Sequence, residues 1–263
     1  MSFMGHLQEL RKRVMRMAFA IVVAAVVLFI YTEPLIDIIY LRMSKPDFVT
    51  YRFFCWMSEY FQLDKALCAT EIKLKLQSIE VTGQFNTNIY FAFIGGIVAV
   101  FPYLFYQLWQ FVRPALKEKE RKAATGVIFW SSLLFFMGIA FGYFVITPMC
   151  VQFFGNYILA PGIENNFTIT SYISIVTTTT FFTGLIFELP VVVSILSRLG
   201  LLTPAFLRKY RKHSYIVILI LAAIITPPDV TSQIIVTIPV VILYEISIGI
   251  CARVVARKEK QAF

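Results

Sequence analysis

Between Glu164 and Arg198 lie 33 consecutive residues whose only charged side chain is Glu188. A helix needs about 20 apolar residues to cross the hydrocarbon core of a bilayer, so this stretch is long enough to do so. A carboxylate held at that depth costs roughly 2.5 to 3.5 kcal/mol on insertion scales, and such groups survive where they face a cavity, a partner or a substrate. Glu188, two residues before Pro190, is therefore a candidate functional group. The bland alternative is a protonated or interhelically bonded side chain that only aids packing.

The rest of the chain repeats the pattern. With 59% hydrophobic and 15% charged residues and a mean hydropathy of +0.75, it lies far from the soluble average and reads as an integral membrane protein. Six apolar runs are candidate spans, at 17–32, 85–112, 123–154, 167–197, 214–226 and 230–252. Several exceed the length of a barrel strand, and a lipid-exposed backbone must satisfy its own hydrogen bonds, so the expected fold is all-α, one transmembrane domain of six helices. Residues 33–84 form a long outside loop.

Charge sets the orientation. The N-terminal segment, the second and fourth loops and the tail hold 18 of the 24 Lys and Arg against four acids, namely Glu9, Glu118, Glu120 and Glu259. The other three loops hold six basic residues and nine acids, and the third and fifth have no Lys or Arg. Positive charge collects on the cytoplasmic side, which predicts both termini there and supports an even number of spans. The net charge of +9 is thus an orientation signal, aided by anionic lipid, and calls for no nucleic acid. The basic start followed by an apolar stretch resembles a signal peptide, but it lacks a small-x-small site and continues into Glu33-Pro34, so a retained first helix is expected.

The cysteines, at 55, 68, 150 and 251, show no CxxC and no metal spacing with histidine. Cys55 and Cys68 share the first outside loop, where a bridge is one alternative and two free thiols the other; a bridge would contribute about 3 kcal/mol on the chain-entropy model. That loop concentrates Tyr51, Phe53, Phe54, Trp56, Tyr60 and Phe61, a density suited to the membrane interface. Ile72, Leu74 and Leu76 alternate with Lys73 and Lys75, the period of a short half-exposed strand.

The fifth run has 13 residues, about 20 Å at 1.5 Å per residue against a core of about 30 Å. The two final helices are accordingly expected to be short, joined by a hairpin at Thr226-Pro227-Pro228-Asp229 in which Asp229 caps the last helix. Pro102, Pro148, Pro190 and Pro239 should kink or end their helices, and Gly138 and Gly142 form a GxxxG pair that permits close helix contact.

Several segments taken together resemble the TatC family, the multispanning receptor of the twin-arginine protein translocase. They are His6-Leu7-Gln8-Glu9-Leu10-Arg11-Lys12-Arg13, Tyr106 to Leu116 with Glu120-Arg121, Phe187-Glu188-Leu189-Pro190, and Thr226-Pro227-Pro228-Asp229 with Ser232-Gln233, Pro239 and Leu243-Tyr244-Glu245. Tyr90 stands where the family commonly has a basic residue, and the first outside loop is longer than usual.

The resemblance implies a concave helix arrangement in the bacterial inner membrane, driven by the proton-motive force, and no cofactor. It also implies TatA- and TatB-type single-span partners, Arg-Arg signal peptides of folded cargo, and homo-oligomers within a hetero-oligomeric complex. Two guanidiniums need carboxylates, which pair bidentately with Arg better than with Lys. Glu9 and Glu120 fall on the family positions for signal recognition, with Phe111 and Pro114 at the rim and Arg11 and Arg121 holding the acids. For Glu9 the alternative is a helical pair with Arg13, worth a few tenths of a kcal/mol, about 0.2 to 0.5. Glu188 and Gln233 become intramembrane partner sites, while Glu245 near the cytoplasmic end snorkels or pairs with Arg.

Enzymes are disfavoured, since His6 and His213 are the only histidines and there is no HExxH, GxSxG or phosphate loop. The competing function is a proton-coupled secondary transporter using Glu188 and Glu245, against which stand the lack of an internal repeat and of a buried basic partner.

Overall fold

The computed structural model describes residues 3–45, 47–60, 75–112, 124–160 and 165–259. Helix α1 (Phe3–Ile30) leads through α2 (Thr32–Ile36) and a π-helical turn (Asp37–Leu41) to α3 (Val49–Tyr60). Strand β1 (Lys75–Gln77) precedes α4 (Gly83–Val112). Helix α5 (Ala124–Phe141) passes through a second π-helical turn (Gly142–Ile146) into α6 (Thr147–Asn156), and β2 (Asn166–Thr168) runs into α7 (Ile169–Phe187). Helices α8 (Leu189–Arg198), α9 (Pro204–Lys209), α10 (Arg211–Ile225) and α11 (Val230–Glu259) follow.

The architecture is all-α, with one two-stranded parallel pair among the described residues, in which Lys75 faces Asn166 and Gln77 faces Thr168. Leu76 of the alternating stretch is in β1, while Ile72, Lys73 and Leu74 lie outside the described residues. The pairing corrects the start expected for the fourth span: Phe167 is strand, and Thr168 caps the helix by accepting from the Ser171 N–H at 3.2 Å.

Five helical stretches among the described residues are long and apolar enough to cross a membrane: Leu7–Ile30, Gly83–Val112, Gly126–Asn156, Ile169–Arg198 and Ser232–Arg257. The chain is a polytopic membrane protein. The sixth candidate is the 15-residue α10, about 22 Å long and short of the core thickness. The final helix departs from expectation. At 30 residues α11 is not short, because Pro239 is accommodated inside it and the basic segment beyond Ala252 continues the same helix.

The described part of the long outside segment, residues 33–84, is folded onto the bundle. Tyr40, Met43, Phe48 and Tyr51 are buried in one core with Phe91 of α4, Val151 of α6 and Tyr172, Ile173 and Val176 of α7. Desolvation in that core pushes the Tyr40 phenol up to about 12, so it serves as a neutral hydrogen-bonding group. A second core joins Val193 of α8 to Leu207, Ile218, Tyr244 and Ile248 of α9 to α11.

Small residues fix how closely the helices approach. A Cβ at Gly138 would stand 2.8 Å from Gly184 Cα and from Phe187 Cβ, and one at Gly142 would stand 2.9 Å from Thr180 Cα. The GxxxG pair therefore receives α7 backbone against backbone. Helix α1 packs along α4, where a Cβ at Gly96 would meet the Ala25 backbone nitrogen at 3.0 Å.

Helix α7 is tied to its neighbours by a run of threonines. Thr177 Oγ1 lies 2.6 Å from the Tyr40 hydroxyl, Thr178 Oγ1 3.0 Å from the Tyr90 hydroxyl, and Thr180 Oγ1 3.2 Å from Thr147 Oγ1. Tyr90 of α4 thus meets a hydroxyl on α7. The other end of the fourth span closes at Gly200, whose φ of +80° suits glycine, with the Leu201 N–H bonding back to Leu196 O at 3.0 Å.

Candidate functional site

Proline builds the setting of Glu188. In an unbroken helix the N–H of residue 190 would bond to the carbonyl of residue 186, and Pro190 has none. The helix therefore breaks at Glu188, which adopts φ −73° and ψ −8° and closes α7 while opening α8. Its N–H bonds to Leu185 O at 3.1 Å, and its carbonyl accepts from the N–H groups of Val191 and Val192. The side chain enters the space facing α5, only 6% exposed, and Oε2 accepts from the Ser131 hydroxyl at 2.9 Å. Oε1 is buried with no hydrogen-bond partner among the described residues. A buried carboxyl oxygen without a donor is a site for one, so this carboxyl combines a structural bond with spare accepting capacity.

Glu9 lies near the start of α1, one turn before Arg13. Its Oε1 receives both the Nε and the Nη2 of Arg13, at 3.1 and 2.5 Å, and Arg13 Nη1 also reaches Gln107 Oε1 on α4 at 3.3 Å. The pair is partly exposed, at 16% for Arg13 and 24% for Glu9, whereas Gln107 is buried. Among the described residues Glu9 Oε2 takes no hydrogen bond, which leaves it open to an incoming cation. The guanidinium that holds Glu9 is that of Arg13, because residues four apart share a helix face; Arg11, expected in this role, is exposed. Phe111 is half-buried in the last turn of α4. Pro114, Glu120 and Arg121 lie outside the described residues, so the expected meeting of Glu9 and Glu120 is not described.

The last two helices are joined by polar contacts at both ends. Asp229 caps α11 by accepting from the N–H and hydroxyl of Ser232, each at 2.8 Å. Gln233 Nε2 donates to Leu219 O on α10 at 3.3 Å. Glu245 pairs with Arg211 at 2.6 Å and accepts from the Tyr215 hydroxyl at 2.5 Å, so it is fastened to α10 rather than presented singly. Cys55 is disulfide-bonded, Cys150 and Cys251 are free and buried, and Cys68 lies outside the described residues.

Sequence reasoning did not reach Ser131, Gln107 or Tyr215. Ser131 carried a weak signal as a hydroxyl in a strongly apolar helix, and Gln107 sat inside a segment used only for its resemblance.

The family model for TatC, the Sec-independent protein translocase protein, matches residues 5–239. The TatC protein of Blattabacterium sp. subsp. Periplaneta americana is 36% identical over 259 residues, covering 98% of this chain and 97% of that protein. TatCy of Bacillus subtilis, also a Sec-independent protein translocase protein, is 36% identical over 262 residues, covering 100% and 93%. A crystal structure of the twin arginine translocase receptor TatC superposes with a TM-score of 0.68 at 26% identity, over 94% of this chain and 97% of that one. Five apolar helices among the described residues, a carboxyl at the break of the fourth span and a relationship running the length of the chain lead to one assignment: this protein belongs to the TatC family and is a subunit of the Tat protein translocase.

Proposed function

We propose that this subunit is the receptor for Arg-Arg signal peptides of folded precursor proteins, reading them on its basic cytoplasmic face with Glu9 and Glu120. The observation that carries the reading is the state of Glu9: Arg13 occupies one oxygen and fixes the carboxylate against α4, while Oε2 takes no bond among the described residues. A carboxylate oriented in this way favours a forked guanidinium over an ammonium. The likeness to a solved twin arginine translocase receptor supports it.

In the same proposal the chain makes six crossings with α10 as the short fifth. Both termini are cytoplasmic in a bacterial inner membrane, following the distribution of Lys and Arg. It nucleates a complex with TatA- and TatB-type single-span proteins, driven by the proton-motive force. Glu188, with one oxygen unsatisfied, and Gln233 are the polar contacts for signal peptide or partner helix; neutralising Glu188 weakens partner assembly more than signal docking. Cys55 pairs with Cys68. The transporter reading is not carried further, since the family is a protein translocase component and Glu245 is held by Arg211 and Tyr215.

The test is binding of an Arg-Arg signal peptide and its Lys-Lys counterpart to the purified protein, with Glu9→Ala and Glu120→Ala alongside. Removing one partner of a desolvated charge pair costs on the order of 2 to 5 kcal/mol. Tight Arg-Arg binding that falls by that much in both variants supports the receptor. Unchanged binding in both variants overturns the assignment of these acids.

A further inference from the structure

Helix α3 has two unlike faces. Thr50 and Tyr51 are buried, and Tyr51 joins the core that holds this segment to the spans. Val49, Phe53, Trp56 and Tyr60 are exposed, Val49 at 68% and Trp56 at 60%. At 3.6 residues per turn these four fall within a sector about 60° wide, a continuous apolar and aromatic stripe along a helix of 12 residues. The rings reinforce one another: Phe53 and Trp56 have centroids 6.1 Å apart, and Trp56 stacks on Tyr60 at 5.8 Å. Arg52 and Glu59, both exposed, flank the stripe on one side.

The neighbouring span says what covers this stripe. Phe48, just before α3, stacks on Phe144 with centroids 6.1 Å apart and planes 11° apart. Phe144 is 45% exposed on the third span, which begins at Gly126. Tyr143, beside it, donates its hydroxyl to Ile39 O at 2.6 Å in the segment that follows Ile30, where the first apolar stretch ends, so Phe144 lies level with that end of the hydrocarbon core. The stacking therefore sets the start of α3 at that boundary, continuous with the lipid-facing surface of the span. Trp and Tyr favour that depth, with apolar ring bodies and polar tips. The side chain of Arg52, 74% exposed, is held only by a long 3.9 Å contact with Asp47, itself 90% exposed, and a long cationic side chain so placed can extend toward lipid phosphates.

We infer that α3 is an interfacial anchor: Val49, Phe53, Trp56 and Tyr60 insert into the bilayer leaflet on the side of the long loop, with Arg52 at the headgroups. The occupant is lipid, not a second protein chain. The anchor rests on the membrane-spanning architecture and is independent of signal recognition.

The test places nitroxide labels at Val49→Cys, Phe53→Cys and, for the polar edge, Glu59→Cys, with the protein in phosphatidylethanolamine–phosphatidylglycerol nanodiscs. Cys55 is bonded and Cys150 and Cys251 are buried, so the label goes to the new thiol. Positions 49 and 53 should collide at least several-fold more with oxygen than with a nickel chelate, and position 59 should show the reverse. Greater access to nickel at 49 and 53 would put the stripe in water and overturn the anchor. Protection from both probes would mean that protein covers the stripe, and would overturn it equally. The difference between wild type and Trp56→Phe in fluorescence quenching by shallow-brominated lipid reads the same surface without new cysteines, and no difference would also overturn the anchor.

Discussion

Ser131 and Glu188 stand 57 positions apart in sequence, and the Ser131 hydroxyl donates to Glu188 Oε2 at 2.9 Å across the contact between α5 and the break of the fourth span. It is the only side-chain hydrogen bond that this carboxyl receives among the described residues. Ser131→Ala should therefore lower stability by about 1 to 3 kcal/mol, because it strips a buried polar group of its donor. Replacing both partners, as Ser131→Ala with Glu188→Leu, should cost less than Ser131→Ala alone, since no unsatisfied oxygen remains. Thermal unfolding in detergent of the two single variants and the double variant checks this order.

An added Cβ at Gly138 would come closer to α7 than one at Gly142, the other glycine of the pair. Gly138→Ala places a methyl 2.8 Å from the α7 backbone and should destabilise by roughly 1 to 3 kcal/mol. Gly249, in the interior of α11, has nothing within 4 Å of an added Cβ, and Gly249→Ala should stabilise by up to about 1 kcal/mol. Melting temperatures moving in opposite directions for the same chemical change would separate packing from propensity.

Arg13 ties Glu9 to Gln107, and Arg13→Lys keeps the charge while removing the fork. Buried Gln107 then loses its donor, so the variant should lose about 1 kcal/mol of stability. Signal-peptide binding should weaken less than in Glu9→Ala, because the carboxylate proposed to recognise the peptide is still present. Titration of both variants with the Arg-Arg peptide gives the comparison.

The Arg211–Glu245 pair is short, but its side chains are 44% and 36% exposed. Screening reduces its worth, so a double-mutant cycle with Arg211→Ala and Glu245→Ala should return a coupling below about 1 kcal/mol. The coupling should shrink further as salt is raised from about 0.1 to about 1 M. A larger, salt-insensitive coupling would show the pair to be desolvated in the bilayer.

The spans were legible because apolar run length is a local property, and Glu188 because one charge in 33 residues has no neighbour to hide it. The partners that give these residues their chemistry were not legible: Ser131 and Gln107 meet Glu188 and Arg13 only after distant helices pack. The folded part of the long outside segment was missed for a related reason. Aromatic density reads the same whether rings face lipid or protein, and here Tyr51 faces the core while Trp56, five residues on, faces outward. The long last helix was missed because a basic tail looks like the end of a span although nothing in it breaks a helix.

The threonine run on α7 has a mechanical consequence. Thr177, Thr178 and Thr180 point in three directions about one axis, each to a hydroxyl on a different element. A rod pinned on three sides can neither spin nor slide by one residue without releasing all three pins together. Helix α7 is thus held in one rotation and one register against three of its neighbours.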